Sequence, residues 1–193
     1  MDKVYAPYLD GKSKLNIIDA GCNIGLFSFY AHPFAERIIA IEPSKEHFAV
    51  MNHMFQFNKL ENIIPLNVAL SHEKGKGVLH HNNNVTMYSL SELVQDPSLE
   101  AEEVDMLTIE EIMNENGMDK VDFLKLDVEG VEAEILCGES FEKVAPRINA
   151  LVYEWHAWSG RNPTQINNAL ADYGYTVKQI PSEATIFGAV RND

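Results

Sequence analysis

IIDAGCNIG, residues 17–25, runs from apolar β-forming side chains into an acid and then two glycines four positions apart. An apolar run of strand length ending in an acid and a glycine turn predicts a strand over residues 15–19 and a tight turn. A helix over 24–35 follows, ended or bent by Pro33. In open α/β sheets ligands sit at the carboxyl ends of the strands, so this turn is where a site belongs. Spacing excludes two phosphate-binding turns. The dinucleotide fingerprint has glycines at its first, third and sixth places, and counting from Gly21 this chain has Asn23 and Leu26 at the second and third of those. No Gly-Lys-Ser/Thr follows, which removes the Walker loop.

Outward from that turn, RIIAIE (37–42) reads as a second buried strand. Ser44 is placed to cap a helix running to about residue 58, whose stripe Phe48, Met51 and Phe55 is core. Further strands are expected over 63–70, 121–127 and 148–156, with helices over 131–137 and within 164–173, and closing strands over 175–180 and 185–190. Near-continuous apolar strands separated by helices imply an α/β, Rossmann-like, doubly wound and mainly parallel sheet covered on both faces. Only PSEA (181–184) joins the last two strands, too short for a parallel crossover, so the C-terminal strand should run antiparallel. Residues 71–103 form the irregular part: glycines at 75 and 77, the run HHNNN at 80–84 and an acidic patch at 100–103. A hairpin of 77–81 with 85–90, or a lid beside the site, is expected there, with His80 and His81 solvated.

A chain of 193 residues, 46% hydrophobic and 23% charged, holds one substantial core, so residues 1–193 are expected to be a single domain. A net charge of −14 opposes non-specific attraction to a phosphate backbone, and nucleic acid is not an expected partner. Cys22 and Cys137 are far apart and in no metal-type spacing, as in a reduced cytoplasmic protein. No apolar run approaches the roughly 20 residues of a membrane span, and the first residues lack the apolar core of a signal peptide. Neither a membrane nor export is expected.

What remains at the opening turn is Asp19-x-Gly21-x-x-x-Gly25. A carboxylate there repels phosphate and suits an ammonium group. Twenty-one residues after Gly21 comes Glu42, at the end of the second strand, where a carboxylate can accept two hydrogen bonds from a ribose diol. S-adenosylmethionine carries both a ribose and a cationic amino-acid end. Five blocks in order, IIDAGCNIG (17–25), IEPS (41–44), NVALS (67–71), VDMLTIEEI (104–112) and VDFLKLDVEGVEAEILCG (121–138), resemble the FkbM family of class I S-adenosylmethionine-dependent methyltransferases. The likeness covers about residues 15–156, with KLDVEGVE its most specific element. It implies methyl transfer to a small-molecule acceptor, first of all to oxygen on a sugar or natural-product intermediate. It also implies that Asp19, Gly21, Cys22, Asn23 and Gly25 line the methionine end of the cofactor. Glu42 and Pro43 would lie at the ribose, and Asn67, Val68 and Ala69 along the adenine. Members commonly carry a longer segment ahead of the first strand than the one here, which leaves open what covers the acceptor pocket.

Methyl transfer from a sulfonium is an in-line displacement, and holding both reactants in near-attack geometry is worth roughly 7 to 11 kcal/mol. If the nucleophile is a hydroxyl, a base adds about 10² to 10⁴ in rate. Asp127 and Glu129 follow the run VDFLKL, and Glu154 and His156 end ALVYEWH, so four titratable groups can converge at neighbouring strand ends. Asp127 is expected nearest the transferred methyl, at the cofactor as well as in catalysis, with His156 or Glu129 as the base. A helix cap is the other reading of Asp127. Lys125 should point to the opposite side of the strand from the neighbours of Asp127 and could be an ion-pair partner in the sheet. The same acids and imidazole are donors suited to Mg²⁺ or Mn²⁺, but strand-end acids more often hold substrate or water, so a divalent metal is a secondary expectation. Trp155 and Trp158 either wall the pocket or pack in the core. The alternatives are a non-catalytic module that keeps the fold and binds a partner, or an N-methyltransferase acting on a peptide or amine.

Overall fold

The computed structural model describes residues 2–81, 88–89, 101–181 and 183–192. In chain order the elements are α1 (Asp2–Leu9), β1 (Leu15–Ala20), α2 (Leu26–Ala31), β2 (Ala35–Ile41), α3 (Lys45–Phe57), β3 (Ile63–Leu66) and β4 (Ala69–Leu70). Next come β5 (Gly75–His81), β6 (Tyr88–Ser89), β7 (Ala101–Leu107), α4 (Ile109–Glu115), β8 (Phe123–Leu126), α5 (Glu132–Leu136) and α6 (Glu139–Val144). The chain closes with β9 (Ala150–Glu154), α7 (Pro163–Asp172), β10 (Tyr175–Gln179) and β11 (Ile186–Arg191).

Seven strands form one sheet in the order β10-β11-β9-β8-β1-β2-β3. All pairs are parallel except β11, which runs antiparallel to both β9 and β10, as the short PSEA connection requires. Successive side chains of a strand face opposite sides of the sheet. Accordingly Ile17, Ile38 and Phe123 pack into one buried cluster with α1, α2 and α3, while Ile18, Ile39 and Leu124 pack into another with α4, α5, α6 and α7. Chain order reverses between β1 and β8, which makes their carboxyl ends the topological switch point.

Local chemistry sets the boundaries. Ser44 caps α3 by accepting a hydrogen bond from the His47 N–H, the geometry that favours serine at this position. α2 is shorter than the expected 24–35, because His32–Phe34 tighten into a 3₁₀ turn around Pro33 and the chain is already extended at Ala35. Helices α1, α4 and α6 add to those expected. α4 is opened by a capping box in which Thr108 and Glu111 satisfy each other's backbone N–H groups.

Two expectations differ. The single strand over 63–70 is two strands in two sheets, because the chain leaves the main sheet at Asn67, whose Nδ2 donates to the Glu42 and Pro43 carbonyls at 2.9 Å each. Much of the irregular stretch 71–103 is ordered as strand, in a second sheet of order β4-β7-β5-β6 with Ala69, Leu79 and Val104 buried on its inner face. Of the expected hairpin, Tyr88 and Ser89 pair with His81 and His80. Residues 82–87 and 90–100, which hold the rest of its second arm, lie outside the described residues. Among the described residues no helix is long and apolar enough to cross a membrane.

Candidate active site

At the end of β1 the chain reverses through Gly21, and the N–H groups of Gly21 and Cys22 both donate to the Ile41 carbonyl at 3.0 Å, tying the turn to the end of β2. Gly21 sits at φ +70°, and a Cβ there would lie 1.6 Å from the carbonyl oxygen of Asp127. Only glycine lets the ends of β1 and β8 approach so closely. Asn23, also left-handed at φ +52°, directs its N–H to Glu42 Oε2 at 2.8 Å. Gly25 serves packing instead: a Cβ would fall within 2.9 Å of Phe55 and Met51, so its absence seats α2 on α3.

These turns border a cleft enclosing about 570 Å³ of empty space, open solvent at its mouth included. Gly21, Asn23, Glu42 and Pro43 line one side, Asp127 and Glu129 another, and Ala69, Leu70 and Leu79 form an apolar wall. Glu42 is 4% exposed. Its Oε1 accepts from the Ser44 N–H at 2.9 Å and stands 3.9 Å from His47 Nδ1. Burial pushes Glu42 up to about 7, against the pull of the Ser44 and Asn23 N–H groups and of Lys125. Because a carboxylate offers about four lone-pair sites, capacity remains toward the cleft. Cys22, Gly25, Asn67 and Val68 do not line it. Cys22 Sγ lies in the core 3.0 Å from Met51 Sδ, Val68 packs against the core, and Asn67 braces the turn that carries Glu42.

Beneath the cleft a buried cation joins β1 to β8. Asp19 and Lys125 are cross-strand neighbours. Lys125 Nζ donates to the Gly21 carbonyl at 3.0 Å and stands 3.5 Å from Asp19 Oδ1 and 3.3 Å from Asp127 Oδ2. Ser28 donates to the other Asp19 oxygen at 2.6 Å. Burial raises the Asp19 carboxyl, with Lys125 and Ser28 opposing. Burial opposes the Lys125 charge, yet Asp127 and Asp19 outweigh it and hold the ammonium above its ordinary value. Asp19 therefore sits below the cleft floor, and its carboxylate is met by Lys125.

The third group of residues comes from the turn after β8 and the segment after β9. His156 Nε2 stands 3.3 Å from Glu129 Oε2 and 3.9 Å from Asp127 Oδ1, and His156 Nδ1 is 2.9 Å from Glu132 Oε1. Burial opposes a charge on His156, but the bond to Glu132 and the fields of Glu132, Glu129 and Asp127 together push it up to about 9. Burial also pushes Glu129 up to about 7, against the attraction of His156 and with the repulsion of Asp127, Glu132 and Glu154. Glu129 is left-handed at φ +54°, and the Trp158 ring fills the space beside Gly130 where a Cβ would be. Asp127, Glu129 and His156 each present a ligand atom within 4.8 Å of the others, the reach of one divalent cation. An imidazolium does not ligate, so such an ion would displace the His156 proton. The sequence reading passes over Glu132, although a third acid five residues after Asp127 and two after Gly130 was the available signal.

Comparison with known proteins gives the family. Residues 19–177 match the Methyltransferase FkbM domain family. Methyltransferase sdnD of Sordaria araneosa is 28% identical over 214 residues, spanning 92% of this chain and 82% of that protein. Among solved structures, the methyltransferase FkbM of Methylobacillus flagellatus KT superposes with a TM-score of 0.60 at 16% identity, over 91% of this chain and 43% of that one. The chain thus spans less than half the length of that relative. A precorrin-6y C5,15-methyltransferase of Geobacter metallireducens GS-15 gives 0.56 at 12% identity, covering 96% and 85% of the two chains. With a sheet ordered around the β1–β8 switch point and a family match over most of its length, the chain belongs to the FkbM-domain methyltransferases.

Proposed function

We propose that the protein transfers the methyl group of S-adenosylmethionine to a hydroxyl oxygen of a small organic acceptor such as a sugar or a natural-product intermediate. The observation that carries this reading is one cleft with Glu42 on one side and the carboxylates Asp127 and Glu129 on another. The residues fit the cofactor: Glu42 is a buried acceptor suited to a ribose diol, Gly21 lets the turn after β1 lie against the Asp127 backbone so that both border one cleft, and Ala69, Leu70 and Leu79 offer an apolar wall to a base. Bound there, the cofactor supplies an electrophilic methyl. The chain's own part is to hold the acceptor oxygen in line and take its proton. Glu129, a carboxylate held near neutrality beside the His156 cation, is the base, and Asp127 orients the acceptor from the end of β8.

Calorimetric titration with S-adenosylhomocysteine tests the cofactor half, and transfer of labelled methyl to hydroxylated acceptors tests the chemistry. Absence of binding at high micromolar ligand would sink the reading. Glu42→Ala should weaken binding about 10- to 150-fold, the equivalent of losing charge-assisted hydrogen bonds worth about 1.5 to 3 kcal/mol.

The same group sets a pH dependence. Ionised Glu42 is the stronger acceptor for a diol, so affinity for S-adenosylhomocysteine should rise as pH climbs through about 7. Glu42→Gln should flatten that rise. His47, Lys125 and Asp19 also face this carboxylate and remain in the variant. A slope that persists in Glu42→Gln would belong to another group of the cleft, such as Glu129, which burial also pushes up to about 7, and would remove Glu42 as its source.

A further inference from the structure

We propose that Glu132 is a positioning residue of the methyl-transfer centre, clamping the turn after β8 to the segment after β9 so that Glu129 and His156 Nε2 meet beside Asp127. The proposal rests on the functional reading above and assigns a role to a side chain that reading does not use.

Glu132 is the first residue of α5, is 2% exposed, and reaches back over the turn that precedes it. Its Oε1 accepts from the Val128 N–H at 3.1 Å and the Gly130 N–H at 3.2 Å, and its Oε2 stands 3.1 Å from the same Gly130 nitrogen. Those donors flank Glu129, whose left-handed backbone is uncommon for a residue with a side chain. A bonded N–H on either side of this residue holds it in place, and the aim of the Glu129 carboxylate follows. The same Oε1 pairs with His156 Nδ1 at 2.9 Å, which fixes the ring with Nε2 toward Glu129 at 3.3 Å. One buried carboxylate therefore serves donors from two loops that are not bonded to each other in sequence. An apolar residue of similar size would fill the space and leave two backbone N–H groups and a ring nitrogen without an acceptor, so burial alone does not account for an acid here. A carboxylate on the far nitrogen of a histidine ring is also how ring orientation is commonly set.

The test is Glu132→Gln, which keeps size and most acceptor geometry while removing the charge, with Glu132→Ala as the deeper deletion. Four quantities are read: the melting temperature, the affinity for S-adenosylhomocysteine, kcat and KM for methyl transfer, and the imidazole ¹⁵N signals of His156 without substrate. Glu132→Gln is expected to stay folded, bind S-adenosylhomocysteine within about twofold, lose about 100-fold in kcat with little change in cofactor KM, and shift both His156 nitrogen signals. Wild-type kcat with unshifted His156 signals would overturn the proposal, as would activity and cofactor affinity falling together in step with stability. Should the variant not fold, the wild type decides. A downfield proton coupled to His156 Nδ1 is expected from the short bond to Glu132, and its absence overturns the clamp. A wild-type protein that transfers no methyl, yet loses that proton signal in a folded Glu132→Gln variant, would overturn the reaction and leave the clamp standing.

Discussion

Gly21→Ala is expected to destabilise the protein by about 2 to 5 kcal/mol and to abolish measurable binding of S-adenosylhomocysteine. Two penalties add. A left-handed backbone costs a residue with a Cβ roughly 1 to 2 kcal/mol. The new methyl would also lie 1.6 Å from the Asp127 carbonyl oxygen, so the turn or the end of β8 must move. Either movement displaces Asp127, whose N–H bonds the Ala20 carbonyl at 3.1 Å, and disturbs the floor of the cleft. The melting temperature should fall by about 4 to 20 °C, given roughly 2 to 4 °C per kcal/mol at this size. Gly117→Ala is the control. Gly117 is also left-handed, at φ +57°, but a Cβ there meets nothing within 4 Å, so only the backbone penalty applies and ligand binding should survive. Equal effects from the two substitutions would show that the close approach of β1 and β8 is not what requires glycine.

The second large effect is expected from Lys125→Met, which retains length and apolar bulk but leaves two carboxylates facing a buried vacancy of charge. Breaking a buried pair by removing one partner costs about 3 to 5 kcal/mol, because the remaining charge is uncompensated. Asp19, at 0% exposure, then keeps only Ser28. The deficit should depend on pH in a definite direction. Burial already raises the Asp19 carboxyl, and loss of the ammonium raises it further. A group whose folded-state pKa is raised contributes stability that is complete below its unfolded value and is lost as pH climbs through the folded one. Chemical denaturation should therefore find the variant closest to wild type at acid pH and progressively further from it as pH rises. Adding Asp19→Asn should recover part of the loss at neutral pH. A variant whose deficit is independent of pH, or a double variant worse than the single, would place the cost in packing.

Much of the main sheet was legible in the chain itself. β1, β2, β8 and β9 are buried on both faces, so each reads as an apolar run, and Ser44 and PSEA carry their meaning locally. The second sheet was not. β7, AEEVDML, buries only Val104 fully, so its acids look like a solvated patch until β5 lies beside it. In the run 63–70 the polar Asn67 is the local sign of a break, and the bonds that divert the chain there go from Asn67 to a turn twenty-odd residues earlier. At the site, strand-end position picked out Glu42, Asp127 and Glu129, all of which border the cleft. It placed Asp19 against the ligand, whereas the fold sets Lys125 across from it, a pairing fixed only by β1–β8 register. Glu132 escaped because its partners lie in two separate loops.

The link between Lys125 and the Gly21 carbonyl spans 104 residues of sequence. The turns that carry Gly21 and Glu42 come early in the chain, whereas Asp127, Glu129 and His156 follow 85 or more residues after Glu42, so a nascent chain carries half a crevice before the rest is made. Contacts of such long separation form late and slowly. A nucleoside ligand should consequently act as a brace on the finished molecule, raising its resistance to heat and protease by mass action, while offering no help to partly assembled forms.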